Sequence, residues 1–128
     1  KFCAEKNICV TPYQPLQGGL LTGKYRRDTP LREGSRLATG GELARADFDV
    51  LEALEKFATS RVFNLLTLAV SWLAAQPTTA SVISGASRPE QPAQNVAAAG
   101  WRMTLEDREK IDGIVGRGSQ DIICHPRA

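Results

Sequence analysis

Two β-branched runs limit what this chain can fold into. Ile8, Cys9, Val10 and Thr11 form the first, and Ser81, Val82, Ile83 and Ser84 the second. Both have the composition of short strands. Two helical patterns lie between them, so the strands cannot form a hairpin. A strand, a helical crossover and a second strand imply a parallel pair in an α/β fold. Pro12 and Pro15 end the first run and begin a turn, and Gly85 follows the second.

The helical patterns are locally signalled. Residues 2–6 read as a helix end. Asp47 is a good N-cap for a helix whose Phe48, Leu51, Leu54 and Ala58 share one face, and Glu52 and Lys56 are spaced as an i,i+4 ion pair. Over residues 64–76, Leu65, Leu68, Ala69 and Trp72 form a stripe that Leu66, Val70 and Leu73 widen, so this helix should be heavily buried. Pro77 ends it. Pro89 suits the first turn of a helix over residues 89–99. Thr104 should cap a last helix, residues 105–115, in a capping box with Asp107, and with Ile111 and Ile114 facing inward. Residues 26–46 are charged and hold Pro30, Gly34, Gly40 and Gly41, as a long surface loop would. Residues 1–117 are expected to form the folded part and residues 118–128 a polar, flexible tail.

Several function classes find no support. The 128 residues allow one domain or less, and a net charge of +2 with scattered Lys and Arg argues against nucleic acid. No apolar run is long enough for a membrane span, since Arg61 and Asn64 interrupt the approach to the longest one at residues 65–75. The first residues carry no signal-peptide core, and the chain does not begin with Met. Cys3, Cys9 and Cys124 are an odd set without CxxC spacing. They suggest neither a disulfide framework nor a metal site, and fit reduced thiols in a cytoplasmic protein.

Two segments carry the chemical information, each at the C-terminal end of an expected strand, where parallel α/β folds bind ligands. Residues 11–25 are rich in glycine. They offer close backbone approach, a Tyr13 ring at the strand mouth and a Lys24 cation for a phosphate. Taken alone they read rather as a turn with a packed Tyr13 and a solvated Lys24, since glycine-rich turns are common. Residues 84–95 place Gly85, Ser87 and Arg88 before a helix start, whose free N–H groups and dipole favour an anion. Gln91 and Asn95 lie on one face of that helix. Taken alone this reads rather as a capped helix with a polar exposed face.

Together the motifs PYQPLQGGLLTGKY at residues 12–25, SRL at 35–37, LAVSWLAAQP at 68–77 and SVISGASRPEQPAQNVAAA at 81–99 resemble the last part of aldo-keto reductases. The likeness is strongest to the branch that holds the potassium-channel β subunits and bacterial general reductases, and it extends to about residue 115. It implies the C-terminal fragment of a (β/α)8 TIM barrel, with residues 8–11 and 81–84 as strands seven and eight. It also implies an NADP(H) site. Tyr13 would stack on the nicotinamide, while Gln14, Leu16 and Gly18 line the cofactor. Lys24 would reach the pyrophosphate, and Arg36 would contact the dinucleotide from a covering loop. Gly85, Ser87 and Arg88 would form the 2′-phosphate and ribose pocket, with Gln91, Gln94 and Asn95 at the adenine end. The chain departs from the family pattern in three places. Gln14 stands for a usual Ser, Gln94 for a usual Glu and Pro92 for a usual aliphatic residue, which puts adenine affinity in doubt before phosphate recognition.

The family reduces aldehydes and ketones with a Tyr acid supported by Lys, Asp and His, all from the first half of the barrel. No such tetrad is found here: His125 is the one His and lies in the tail, and Tyr25 is in the wrong loop. No catalytic residue is therefore assigned. The leading expectation is the cofactor-binding portion of a reductase, inactive alone. The alternative is a truncated, non-catalytic structural or interaction module, and an enzyme with recruited chemistry ranks last. Two strands leave open edges, so a homo-oligomer or a complex with a complementary barrel fragment is expected.

Overall fold

A computed structural model describes residues 2–27 and 46–116. The long loop expected at 26–46 and the tail at 118–128 therefore lie largely or wholly outside the described residues. Five α-helices run in chain order: α1 (Phe2–Glu5), α2 (Phe48–Ser60), α3 (Leu65–Ala74), α4 (Gln91–Ala97) and α5 (Leu105–Val115). A 3-10 segment, Gln17–Thr22, follows the first extended run.

The helix starts obey local rules. The Asp47 carboxylate accepts the Val50 N–H at 3.1 Å, and Asn64 caps α3 by accepting from Thr67 at 2.8 Å. Thr104 and Asp107 form the expected capping box on α5, each side chain accepting the other's backbone N–H at 3.1 Å. Each such bond satisfies a donor that the helix cannot satisfy itself.

Helix α2 ends in a Schellman motif. The Phe63 N–H reaches Ala58 O and the Val62 N–H reaches Thr59 O, both at 2.9 Å. The residue that must turn left-handed there is Val62, at φ 65°, where glycine is usual. A β-branched side chain in that region is strained. The turn directs Phe63 onto Trp101, and the two rings stack with centroids 4.7 Å apart.

Helix α2 packs against α3 and α5, and α3 also meets α4 and the 3-10 segment. The core consists of Val50, Leu51, Leu54 and Ala58 from α2, Leu65 and Leu68 from α3, Ile111 from α5, and Trp101 from the linker before α5. Phe48, Trp72 and Ile114 are half-buried against it. The Ser71 hydroxyl, buried on α3, donates to Ala98 O at 2.7 Å and accepts from the Trp101 N–H at 3.2 Å. That hydroxyl ties the linker to α3. Arg61, at the end of α2, pairs with the buried Asp107 at 2.9 Å.

The two expected strands are reduced to one parallel bridge, Val10 to Thr79. The Val10 N–H donates to Thr78 O at 2.7 Å and Val10 O accepts from Ala80 at 2.9 Å. Continuing that ladder requires an N–H two residues on, and Pro12 has none. The next bond instead runs from Ile83 N–H to Pro12 O at 2.9 Å, one residue out of step. No named strand forms among the described residues. Parallel pairing of two lone segments adds little stability.

Two further expectations change. The last but one helix spans Gln91–Ala97 rather than 89–99. Glu52 is engaged by Arg27 at 3.4 Å rather than by Lys56.

Candidate functional site

The bond from Ile83 to Pro12 brings the two information-bearing segments to the same end of the molecule. Just beyond it, one segment continues into Tyr13 and the other into Ser84 and Gly85. Tyr13 is 71% exposed, so its ring is open to a planar partner. At Gly85 a Cβ would meet nothing within 4 Å, which leaves the backbone there approachable.

The glycine-rich segment folds on itself. Leu16 O accepts from Gly19 at 2.8 Å and from Leu21 at 3.2 Å, and Gln14 O accepts from Gln17 at 3.2 Å. Gly18 and Gly19 take φ of 66° and 102°, which side chains rarely adopt. The Lys24 side chain lies over Gly19, where a Cβ would come within 3.0 Å of Lys24 Nζ. Lys24 thus lies back over the turn, its ammonium 4.9 Å from the Tyr25 ring centre. The segment holds an exposed cation against approachable backbone.

At the second segment, the expected free N–H groups are already engaged. Gln91 Oε1 accepts from Ser87 N–H at 2.6 Å, from Arg88 N–H at 3.1 Å and from Ser87 Oγ at 3.3 Å. These N–H groups only donate, so the atom they face is the carboxamide oxygen. Gln91 was expected on the adenine-facing surface of the helix. It reaches back instead and holds the turn. An anion arriving here meets the Arg88 guanidinium, which has no carboxylate partner among the described residues, before any free backbone donor. Gln94 is exposed and Asn95 half-buried on α4. Arg36 lies outside the described residues.

Sequence reading missed how the glycine-rich segment is anchored. Arg26 makes a bidentate pair with Glu55, at 2.8 and 2.9 Å. Arg27 pairs with Asp49 and Glu52 on the same helix. Hydrogen bonding to Glu55 raises the already high Arg26 pKa, and hydrogen bonding to Asp49 does the same for Arg27. The signal was present as acidic residues at 49, 52 and 55 on one face of α2, opposite an arginine doublet.

Among the described residues, no group of three or more His, Cys, Asp or Glu could hold a metal, and Cys3 and Cys9 are free thiols. No single described helix is long and apolar enough to cross a membrane. Cys124 and His125 lie outside the described residues.

Comparison with known proteins gives a consistent result. Residues 1–115 match the model of the aldo/keto reductase family. A putative voltage-gated potassium channel subunit beta from Schizosaccharomyces pombe is 35% identical over 117 residues, covering 83% of this chain and 33% of that protein. An NADH-specific methylglyoxal reductase from Escherichia coli is 35% identical over 110 residues, covering 83% of this chain and 33% of its own length. In solved structures, a glycerol dehydrogenase from Gluconobacter oxydans is similar at TM-score 0.72 and 27% identity. It covers 99% of this chain, which in turn spans 40% of that one. The chain spans about a third of the length of the curated relatives it matches.

Proposed function

The chain belongs to the aldo/keto reductase family, and from that premise we propose that it is the NADP(H)-binding portion of such a reductase. It would correspond to the last two strands of the barrel and their helices. The parent reaction would be NADPH-dependent reduction of an aldehyde or ketone, with the dinucleotide supplying the hydride. This chain's residues would bind and orient it.

The observation that carries the proposal is the Ile83–Pro12 hydrogen bond, which joins the segment that leads into Tyr13 to the one that leads into Ser84 and Gly85. The residues fit the group chemically. An open aromatic face suits a nicotinamide ring, and the unpaired Arg88 and the exposed Lys24 suit phosphates. Tyr13, Gln14, Leu16, Gly18 and Lys24 would line one side. Gly85, Ser87 and Arg88 would hold the 2′-phosphate and ribose, and Gln94 and Asn95 the adenine end. Gln91 would act by keeping the Ser87–Arg88 turn in shape. No described residue is assigned here as a proton donor to the carbonyl oxygen.

Cofactor choice rests on Arg88, because the Escherichia coli relative is named as NADH-specific. Calorimetric titration of this chain with NADPH and NADH tests the reading. NADPH should bind more tightly by about ten- to hundredfold, the value of one charge-assisted contact. Arg88→Ala should remove the difference. Equal affinity for both cofactors in the unaltered chain would overturn the assignment.

A second reading, that the chain is a non-catalytic interaction module, draws on the exposed apolar surface at Ile8, Ile83 and Val96. It would be favoured by a stable homo-oligomer in light scattering that binds neither cofactor.

A further inference from the structure

The described arginines fall into three settings. Arg26, Arg27 and Arg61 are paired with carboxylates. Arg88 belongs to the proposed dinucleotide end. Arg102 and Arg108 have no carboxylate partner among the described residues, and both line one cleft of about 350 Å³ between the end of α3 and the start of α5. No acidic residue contributes to its wall.

The cleft has a firm floor. Ser71 is buried there, and its hydroxyl is committed to Ala98 O and the Trp101 N–H. Trp101, itself 6% exposed, forms one side. Arg108 is held at the rim by a long contact from one terminal nitrogen to Ala75 O, at 3.5 Å. Its Nε is fully buried and donates to nothing. A buried donor without an acceptor is destabilising, and a second guanidinium on the same cleft adds like-charge repulsion. The carbonyl end of α3 would by itself repel an anion. Two guanidinium charges on one cleft outweigh one helix end that Arg108 already contacts.

We propose that this cleft binds a small oxyanion, a phosphate or a carboxylate, through Arg108 and Arg102. The guanidinium fork presents parallel N–H groups that match paired oxygens. The site is on the opposite side of α4 in the chain from Arg88 and does not depend on the dinucleotide reading.

The test follows the arginine Nε–Hε resonances of the whole chain by nuclear magnetic resonance. Inorganic phosphate and acetate are titrated in separate arms at constant ionic strength, with chloride as control. A saturable shift of the Arg108 signal with either oxyanion, absent with chloride, supports the site, and the stronger arm identifies the anion class. Arg102→Met should weaken that binding about tenfold or more, while Arg88→Ala should leave it unchanged. Arg102 is exposed, so its removal spares the fold. Arg108→Lys keeps the charge without the fork and should also weaken binding. The proposal is overturned if no saturable shift appears, if chloride gives the same response, or if Arg102→Met and Arg108→Lys both bind as the parent does.

Discussion

Around Trp101, α2, α3, α5 and the linker before α5 close on one another. At Val10, two chain segments share a single bridge. The first region meets most of its own bonding needs. Its helix starts are capped, Asp107 is paired, and its aromatic rings stack. The second bears most of the proposed binding groups yet leaves Ile83 53% exposed and Tyr13 71% exposed. A helix makes its backbone hydrogen bonds within one segment, so a layer of helices can pack when cut from a barrel. A strand makes its bonds with neighbours, and a parallel pair without further strands keeps two open edges. Among the described residues the helical layer packs on itself, while the strand segments share one bridge.

The largest expected effect contrasts the two regions directly. Trp101→Ala removes a ring that packs with Phe63 and, at 6.0 Å, with Phe57. It should cost about 3–5 kcal/mol. Ile83→Ala should change stability by no more than about 0.5 kcal/mol. Urea unfolding of both variants measures this. A larger loss at Ile83 than at Trp101 would break the division between scaffold and strand ends.

A smaller effect concerns acid. Burial works against the charged form of Asp107, but the Thr104 backbone and hydroxyl hydrogen bonds and Arg61 outweigh it, holding the carboxyl below its usual pKa. A folded-state pKa lowered in this way stabilises the protein above the unfolded value of about 3.9, and that stability is lost as pH falls through the folded pKa. Asp107→Asn should therefore lower stability by about 1.5–3 kcal/mol near neutrality. The gap to the parent should hold from pH 7 to 5 and shrink below about pH 4. Melting temperatures across pH check this, and a gap that widens in acid would show that Asp107 does not carry it.

The smallest effect is a gain. Val62 is 92% exposed, so Val62→Gly loses almost no packing while it removes left-handed strain. A net stabilisation of about 0.5–1 kcal/mol is expected, after the added freedom of glycine in the unfolded chain is subtracted. Thermal melting reads it. An unchanged or lower melting temperature would mean that the Phe63–Trp101 stack depends on the stiffness of Val62.

Much of the helical layer was legible because its signals are local. Asp47, Thr104 and Asp107 act within three residues of themselves, and the Leu51, Leu54 and Ala58 stripe follows the helical period. Trp101 was not legible: it follows Gly100 in a linker with no periodicity, and its burial depends on Phe57 and Phe63 arriving from α2 and the turn after it. The binding motifs were visible as strings, but their state was not. Gln91 turns back on Ser87 and Arg88 only because α4 starts where it does.

By itself the sequence determined the family, the helix starts and the two segments that carry polar chemistry, since each is written in neighbouring residues. Tertiary structure alone decided which charges meet. Arg26 and Arg27 reach across to α2, Glu52 turns to Arg27 rather than Lys56, and Arg102 and Arg108 are left together at one cleft. It also decided how far the strands extend. A ladder needs a donor at every second residue and a neighbour on each side, and here Pro12 removes the one while the described residues lack the other.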